Sequence, residues 1–544
     1  MNGVAAFFVG DDFDFLVLVQ RMDGPGDAWG TSFWGEWEPL WYLGFYFDFA
    51  LWGLSPQGYH ASSLFWFALA VLLLFRLVRD LWPAARVAPW AAALLFASHP
   101  LHDEAVTYLA ARGHPMSLAL ALLALWAWAC TRRSGGSPAL RGCFRAIAFL
   151  AALLAALAKE TALVLPAWVV ALELCVFGGL RVSWATLRPA LRGGALFLGA
   201  GAVYFALRGA TVGFDSDKLS GPAGGPWEMA TSFLADLPEY ALLGGLPFPC
   251  AFLGRGALEP WRPLGWLMVA AVALPAVGAA VVQLRRDRRV SRPLGLYLLA
   301  LVVVAVSLAP VFWADLGLRR RYLYTSSAGA ALAAAVVLEW IAARRARLAW
   351  TLLVTVVAAG AAGLSWRNDL YVRAGRITRG FVETVRGAPL DRPAPRRNEH
   401  EERRIGLVTL PRYLGGDDLS GAYVLHRTDA RSAVRLAGIE PDEFGAALHC
   451  HFADDYRARA SFESREALNL TVTFATERAY RGALERNLAE DREGRLLSAV
   501  RARADDASRT IEYKVLLTPG LASDSRSDLY LYSDGRFSRL TPGG

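Results

Sequence analysis

The sequence predicts an α-helical, multi-span membrane protein with a small β-rich α+β soluble domain at its C-terminal end. Of its 544 residues, 55% are hydrophobic and only 19% are charged, with a mean hydropathy of +0.30. Soluble domains usually carry about 25% charged residues. Long apolar runs alternate with short arginine-rich gaps up to about residue 365, whereas charges recur every few residues from Trp366 onward. We therefore expect a membrane domain over 1–385, a linker over 386–404 and an extracytoplasmic soluble domain over 405–544.

Apolar segments long enough to cross a hydrocarbon core of about 30 Å predict about 10–11 transmembrane helices, with further external helices at the interface. Four gaps between these segments are rich in arginine, and alternation of the spans places all four on one side, which should be cytoplasmic. The predicted spans are 60–78, 86–98, 115–131, 145–158, 161–178, 190–207, 263–283, 293–313, 322–341 and 347–365. The opposite, external side then receives the N-terminal region, most acids and histidines of the membrane half, and the C-terminal tail.

The first complete predicted span, 60–78, must run inward, which places Asp11 outside with only ten residues before it. Ten residues rise about 15 Å as a helix, half of what a span needs. We therefore expect this chain to lack most of its true first transmembrane helix, through a misplaced start or a truncation.

Two adjacent carboxylates, Asp11 and Asp12, lie in the apolar stretch "FFVGDDFDF". A solvated loop is the simpler interpretation. The alternative is that one acid is a general base, with a pKa raised by its apolar neighbours and its paired acid. The aromatic-rich stretch that follows, 29–60, suits helices lying in the membrane interface.

A second polar cluster is "SHPLHDEAVTYLAARGHP" (98–115). Pro100 favours the first turn of a helix capped by Ser98 or His99. A helix start there would offer free N–H groups to an anion. Interfacial capping is one alternative and a metal site is another, although no metal-ligand motif with defined spacing is present. The site candidates in this stretch are His99, His102, Asp103, Glu104 and Arg112.

Two further external segments carry charge: "AKET", with Lys159 and Glu160, and "LRRRYLYTSS" (318–327). Arginines at 319–321 oppose the positive-inside bias and need an anionic partner, and phosphate fits the guanidinium fork. Contact with lipid headgroups is the alternative. We take Arg320, Arg321 and Tyr322 as site candidates.

Several classes of function are disfavoured. The net charge of +8 comes from arginines clustered between apolar segments, which indicates membrane anchoring and not nucleic-acid binding. The five cysteines have neither disulfide-framework nor metal-site spacing. There is no P-loop and no strand-linked GxGxxG. An external active site could not use cytosolic nucleotides in any case, so an enzyme there needs a donor already carried across the membrane, such as a lipid-linked phosphate.

The order of five motifs resembles the GT-C membrane glycosyltransferases, in particular the protein O-mannosyltransferase-like and tetratricopeptide-linked O-mannosyltransferase-like branch. The resemblance spans about residues 5–385. The motifs are "DDF" (11–13), "PLWYLGFYFDFALWGLSPQGYH" (39–60), "LFASHPLHDEAVTYLAARGHP" (95–115), "AKETALVLPAWVVALEL" (158–174) and "RRRYLYTSSAG" (319–329).

This resemblance implies transfer of a sugar, mannose-like, from a polyprenyl-phosphate donor to an acceptor hydroxyl on the extracytoplasmic face of a bacterial inner membrane, with inversion. It implies that Asp11 or Asp12 is the base, with Asp11 favoured. It also implies that Asp103 and Glu104 are catalytic acids of the second loop and that Arg321 binds the donor phosphate. Arg112, Lys159 and Arg320 are secondary phosphate candidates. No cofactor is firmly implied, and a divalent cation stays an open alternative.

The sequence departs from the family pattern at "WEPL", where Glu38 replaces the usual arginine, and at Ser63 and Phe67 after "GYH". The tail lacks tetratricopeptide repeats. These differences leave the sugar and the protein, glycan or lipid acceptor open. A flippase for lipid-linked sugars would need polar residues at bilayer depth, and a membrane scaffold presenting the tail would not need the paired acids.

Alternating stretches in the tail predict strands over 467–476, 510–518 and 527–540, the last with a "SDG" hairpin turn. One helix is expected near 477–503.

Overall fold

The computed structural model describes most of the chain. The described residues are 2–33, 35–133, 137–181, 183–214, 225–245, 255–313, 319–387, 390, 403–414, 422–425, 427–437, 441–452, 456–464, 467–474, 497–517, 527–533 and 536–540. Most of the predicted linker lies outside them. Internal contacts divide the chain into two units. We call Met22–Arg367 the core unit, and Met1–Arg21 together with Asn368–Gly544 the terminal unit.

Helices dominate the first 386 residues. Those up to the middle of the chain are α1 (Asp12–Gln20), α2 (Asp27–Gly30), α3 (Pro39–Trp52), α4 (Pro56–Leu81), α5 (Ala88–Ala97), α6 (His102–Val106), α7 (Gly113–Thr131), α8 (Pro138–Ala158), α9 (Leu165–Ala171) and α10 (Trp184–Thr211). They are followed by α11 (Gly225–Gly245), α12 (Arg255–Leu258), α13 (Arg262–Asp287), α14 (Arg292–Trp313), α15 (Leu323–Arg386) and α16 (Arg427–Leu436). A π-helix over Leu172–Phe177 continues α9, and short 3-10 turns include Leu109–Ala111, Glu160–Val164 and Arg320–Tyr322.

Within the described residues, 8 helical segments are long and apolar enough to cross a membrane. The last of them, Arg320–Arg386, covers two predicted spans, and its helix α15 has a non-helical residue, Arg345, between them. The predicted span 86–98 corresponds to α5, an apolar helix of 10 residues. Each predicted span therefore falls on a helix, and the predicted fold class is confirmed.

In the core unit, loops predicted to share a side of the membrane contact one another. On the predicted cytoplasmic side, the Glu339 carboxylate accepts from the backbone nitrogens of Val87 (2.6 Å) and Ala88 (2.8 Å) at the start of α5. On that side Arg133 also lies 3.3 Å from Asp80. Free N–H groups at a helix start favour a carboxylate partner. The external segments are joined by the polar clusters described below, so the grouping agrees with the predicted topology.

The terminal unit combines α1, the end of α15, α16 and two sheets. Its strands are β1 (Arg403–Leu414), β2 (Ala422–Tyr423), β3 (Pro441–Phe452), β4 (Tyr456–Ser464), β5 (Ala467–Phe474), β6 (Leu497–Asp505), β7 (Thr510–Leu517), β8 (Ser527–Ser533) and β9 (Arg536–Leu540). One sheet has the order β2-β1-β8-β9 with β3 paired to β1, and the other has the order β4-β5-β7-β6. β1 runs parallel to β3 and β8, whereas the second sheet is antiparallel.

The predicted strands of the tail are confirmed as β5, β7, β8 and β9, and Ser533 pairs with Arg536 across the predicted hairpin. The helix expected near 477–503 is wrong over its last part, because Leu497–Asp505 is a strand paired with β7. Residues 475–496 lie outside the described part of the chain. Alanine and arginine favour helix as isolated residues, but pairing along β7 outweighs that preference.

Candidate functional site

The histidine-rich stretch 98–115 folds as broken helical turns. Helix α6 begins at His102, not at Pro100, and ends at Val106, and a 3-10 turn follows over Leu109–Ala111. The helix expected to start at Pro100 is therefore wrong, and the segment up to Arg112 is not one continuous helix. Tyr108 has extended backbone angles (φ −77°, ψ 109°) that interrupt it. Ser98 does not cap α6, because its hydroxyl donates to the carbonyl of Leu94 (2.8 Å) at the end of α5.

The short helix α6 places two carboxylates in contact with three arginines, and we call this group the arginine–carboxylate cluster. It consists of Asp103, Glu104, Arg320, Arg321 and Arg367. Arg367 Nε donates to Asp103 Oδ2 (2.9 Å), and Arg321 Nη1 donates to Glu104 Oε1 (2.6 Å). Arg320 bridges the two acids at 3.5 Å from Asp103 and 3.7 Å from Glu104. The structure thus joins four predicted site residues from segments more than two hundred positions apart.

Burial distinguishes the members of this cluster. The side chains of both acids are sealed, as are Arg320 and Arg367, whereas that of Arg321 is 20% exposed. Burial raises the pKa of Asp103, and the nearby Arg320 opposes that shift. Arg321 is therefore the arginine through which the cluster can meet an anion from outside.

Arg367 is a member of this cluster that the sequence motifs do not predict. The only sequence signal was an arginine at the external end of the last predicted span, within "WRND". Its partner Asp103 is 264 positions away, so the contact has no local pattern.

Both predicted histidines are buried beside this cluster. Their rings stack with centroids 5.1 Å apart, and His102 also packs against Tyr324 at 4.7 Å. His102 Nε2 shares a hydrogen bond with Ser327 Oγ (2.8 Å) in α15. Burial lowers the pKa of His99 to about 4 and the pKa of His102 well below its usual value, so both rings are neutral at pH 7. Neutral His102 ties α6 to α15.

A second group, the lysine cluster, surrounds Lys159 with carboxylates from the first external segment and from Glu160. Lys159 Nζ lies 3.0 Å from Glu36 Oε2 and is also paired with Glu38. Arg208 approaches Glu160 at 3.8 Å and donates to the carbonyl of Gly35 (2.8 Å). Lys159 is thus already engaged by acids, which compete with the predicted phosphate.

Burial and neighbouring charges shift the pKa values of two members of the lysine cluster. Burial raises the pKa of Glu38 to about 8, with Lys159 opposing the shift and the neighbouring Glu36 and Glu160 adding to it. The same carboxylates raise the pKa of Lys159 well above its usual value despite burial. Both directions have the same origin, since a buried ammonium lies among three carboxyl groups.

Arg112 lies in a third set of contacts. Its guanidinium is paired with Asp48, donates from Nε to Ser63 Oγ (3.0 Å), and donates from Nη2 to the carbonyl of Tyr59 (3.0 Å). Its carbon Cζ lies 5.2 Å from the centre of the Phe45 ring. The side chain is only 1% exposed. These contacts describe a clamp between α3 and α4, and its predicted role as a phosphate ligand stays a prediction.

Three consecutive residues, Arg112, Gly113 and His114, lie within or beside the three polar groups. Arg112 belongs to the clamp. A Cβ added at Gly113 would lie 3.2 Å from Glu38 Oε2 and 3.3 Å from Lys159 Cδ, so the backbone passes directly over the lysine cluster. The ring of His114 packs against Tyr322 (6.0 Å), the neighbour of Arg321. The "RGH" of the motif is therefore a structural junction of the polar groups in the core unit.

The paired acids lie in the terminal unit at the start of α1. Asp12 is buried, and its Oδ2 accepts from the backbone nitrogen of Val9 (3.0 Å). Asp11 is the N-cap residue and is half-buried. Asp12 thus serves the turn that starts the helix, which leaves Asp11 as the more accessible acid.

A third acid, Asp14, accepts a 2.5 Å hydrogen bond from Ser432 Oγ in α16. Burial raises the pKa of Asp14 to about 6, with the charge of Asp11 adding to the shift.

Within the described residues, no group of three or more His, Cys, Asp or Glu side chains is arranged to hold a metal ion.

No protein-family model matches the chain. Two curated relatives from Drosophila melanogaster do. The protein O-mannosyl-transferase Tmtc1 is 35% identical over 178 residues, which is 30% of this chain and 20% of Tmtc1. The protein O-mannosyl-transferase Tmtc2 is 32% identical over 126 residues, which is 21% of this chain and 13% of Tmtc2. The chain thus matches about a fifth or less of the length of these relatives.

Solved structures similar to the chain include the oligosaccharyltransferase AglB from Archaeoglobus fulgidus, in complex with an inhibitory peptide and a dolichol-phosphate. The alignment of the two chains has a TM-score of 0.44 and 14% identity, and it covers 81% of this chain and 61% of AglB. Another is ArnT from Cupriavidus metallidurans bound to undecaprenyl phosphate, with a TM-score of 0.33 at 14% identity, covering 75% of this chain and 80% of ArnT.

The chain is a multi-span helical membrane protein with a small β-rich C-terminal region, and it resembles the GT-C membrane glycosyltransferases. Within that class, the relatives found by sequence are protein O-mannosyl-transferases, as the motifs predict.

Proposed function

We propose that this protein is a membrane glycosyltransferase that moves a mannose-like sugar from a polyprenyl-phosphate donor to an acceptor hydroxyl. The active side is the extracytoplasmic face of a bacterial inner membrane, and the C-terminal domain lies on that side. The protein O-mannosyl-transferase relatives support the sugar, and the arginine-rich gaps between spans support the orientation. The acceptor is a hydroxyl of a protein, glycan or lipid.

The arginine–carboxylate cluster carries this proposal. Three arginines and two acids converge there, and only Arg321 has a partly exposed side chain. A guanidinium held on one side by a carboxylate can present its remaining edge to a phosphate oxygen. Arg321 therefore binds the donor phosphate, while Arg320 and Arg367 hold Asp103 and Glu104 in place. Of the two acids, predicted as catalytic from the motif, Glu104 acts in this scheme by orienting Arg321, and Asp103 acts by holding Arg320 and Arg367.

In the reaction, Asp11 accepts the proton of the acceptor hydroxyl as its oxygen attacks the anomeric carbon. The bond from that carbon to the phosphate oxygen breaks, and its electron pair leaves with the polyprenyl phosphate. Arg321 stabilises the charge that develops on the departing phosphate. A single in-line displacement inverts the anomeric configuration. Asp11 is favoured over Asp12 because Asp12 is buried and accepts a backbone hydrogen bond.

The experiment uses the full chain in lipid nanodiscs with undecaprenyl-phosphate mannose, and it measures release of undecaprenyl phosphate with and without acceptor peptides or glycans. Wild-type protein should turn the donor over. Asp11→Asn and Arg321→Ala should each lower turnover about 10²–10³-fold. Asp12→Asn should act mainly through stability.

The matched control is Arg344→Ala, which removes an exposed arginine from the opposite predicted side of the membrane. Its turnover should equal that of the wild type. Full turnover in both Asp11→Asn and Asp12→Asn would refute the base assignment, and no turnover of any polyprenyl-phosphate sugar by folded wild-type protein would refute the function.

A further inference from the structure

Within the terminal unit, the acid segment 7–14 is contacted by parts of the chain that follow the core unit. Thr378 Oγ1 in α15 donates to the carbonyl of Phe8 (2.6 Å). A Cβ added at Gly375, one turn earlier, would overlap the backbone of Phe7. The backbone nitrogen of Gly10, which has a positive φ of 51°, donates to the carbonyl of Val424 (2.9 Å). Contacts to α15 and to the strand region thus fix the backbone that leads into Asp11.

Helix α16 of the tail supplies the side-chain contacts. Ser432 Oγ donates to Asp14 Oδ1 at 2.5 Å, across 418 positions of sequence. Asp429, one turn before Ser432 in α16, also acts on the pKa of Asp14, as do the charges of Arg435 and Asp11. Asp14, Asp429 and Ser432 are all buried. Asp14 lies three positions after Asp11, one helical turn along α1 on the same side, so its anchor sets the rotation of the helix start.

The contact between Asp14 and α16 carries a free-energy cost, because it buries polar groups. Asp14 and Asp429 are both buried carboxyls, and burying such groups costs more than packing apolar side chains of the same volume. Buried polar contacts of this kind fix one arrangement of two elements, since any other arrangement leaves their groups without partners.

We propose that the C-terminal tail is a positioning element for the acid pair, with Ser432 and Asp429 of α16 as positioning residues that act through Asp14 on Asp11. The inference rests on the proposed function, in which Asp11 is the base. Removing the anchor lets α1 turn or tilt and displaces the Asp11 carboxylate from the acceptor hydroxyl. Turnover then falls through kcat, because small displacements of a catalytic group cost much rate while the donor still binds.

The test compares Ser432→Ala, Asp429→Asn and Ser432→Thr in the full chain in nanodiscs. Hydrogen exchange of the backbone amides reports on the contact without any activity. Ser432→Ala and Asp429→Asn should speed exchange about 10-fold or more in 13–20 and in 427–436 together. In the turnover assay with undecaprenyl-phosphate mannose, the same variants should lower kcat about 10-fold with KM for the donor unchanged. Ser432→Thr keeps a hydroxyl and should restore both readouts.

The matched control is Ser508→Ala, which removes an exposed serine that donates to Asp505 (2.6 Å) in a turn of the same tail. It should change neither readout. Unchanged exchange in 13–20, or a wild-type kcat in Ser432→Ala and Asp429→Asn, would overturn the positioning role. Absence of turnover in the wild-type protein alone would instead overturn the proposed function, and with it the role of Asp11, whatever the exchange data show.

Discussion

The two acid-bearing segments of this protein, "HDE" in the core unit and "DDFD" in the terminal unit, bury their carboxylates by different means. Asp103 and Glu104 are neutralised by three arginines at 2.6–3.7 Å. Asp12 and Asp14 instead depend on a backbone nitrogen and a serine hydroxyl. The first arrangement balances the acids with charged guanidinium groups, whereas the second binds them with neutral donors. Acidic residues in two segments of one membrane protein can therefore have different partners and different chemical roles.

Removing one of the arginines that balance Asp103 and Glu104 should have the largest effect on stability. Arg320→Met leaves Asp103 and Glu104 with fewer positive partners in a sealed site, and breaking a buried ion pair costs about 3–5 kcal/mol. The apparent Tm of the protein in detergent should fall clearly, measured by intrinsic fluorescence. Arg344→Met, at an exposed position, should leave Tm unchanged. A wild-type Tm for Arg320→Met would show that the cluster does not hold the core unit together.

Arg321 sharpens the comparison, because it separates binding of an external anion from internal neutralisation. Arg321→Lys keeps the charge but loses the guanidinium fork, so turnover of undecaprenyl-phosphate mannose should lie between wild type and Arg321→Ala. Removing one hydrogen-bond donor that faces the charge developing in the transition state costs about 2.7–4 kcal/mol of transition-state stabilisation. Steady-state kcat and KM give the measurement. Equal turnover in wild type and Arg321→Ala would remove this residue from the donor site.

The second segment should respond to pH. Burial raises the pKa of Asp14 to about 6, with Asp11, Asp429 and Arg435 also acting on it. The stability that the protonated group contributes is therefore complete below the unfolded value of 3.8 and is lost as the pH rises through about 6. A shift of about 2 pKa units corresponds to at most about 3 kcal/mol. Asp14→Asn should be more stable than wild type at pH 8 and equal to it near pH 4, by thermal unfolding.

The control for that experiment is Asp506→Asn, an exposed aspartate in the tail. Its stability should follow the wild-type pH dependence. A wild-type pH dependence in Asp14→Asn as well would mean that Asp14 is already ionised in the folded protein.

A smaller effect concerns the close approach of α15 to the acid segment. Gly375→Ala would place a methyl group against the backbone of Phe7, and overpacking of this kind costs about 1–3 kcal/mol. Gly380→Ala, in the same helix with no neighbouring atom within 4 Å, should be neutral or stabilising by about 0.4–1 kcal/mol. Chemical denaturation of the two variants compares them directly. Equal stability of the two variants would mean that the segment 7–14 can shift to accommodate the added methyl group without a loss of stability.

Sequence reasoning reached the features that have a local or compositional signal. Hydropathy located the spans, the "SDG" turn located the hairpin of β8 and β9, and unusual arginines on the external side located Arg320 and Arg321. Glu38 attracted notice only as a departure from the family pattern, and the structure pairs it with Lys159.

The contacts that sequence reasoning missed are those between distant segments. Arg367 reaches Asp103 across 264 positions, and Ser432 reaches Asp14 across 418 positions. No periodicity or spacing encodes such pairs, because they arise only when separate elements pack together. The strand β6 was missed for the same reason, since its pairing with β7 overrides its helical composition.

The most direct test of the central proposal compares Asp11→Asn with Asp103→Asn in one assay of undecaprenyl phosphate release from undecaprenyl-phosphate mannose, normalised to folded protein. Asp11→Asn should lower kcat about 10²-fold or more with unchanged Tm and unchanged KM for the donor. Asp103→Asn should lower Tm while each folded molecule keeps most of its turnover. Wild-type kcat in Asp11→Asn, with the loss of turnover in Asp103→Asn instead, would contradict the assignment of the base to the first acid segment.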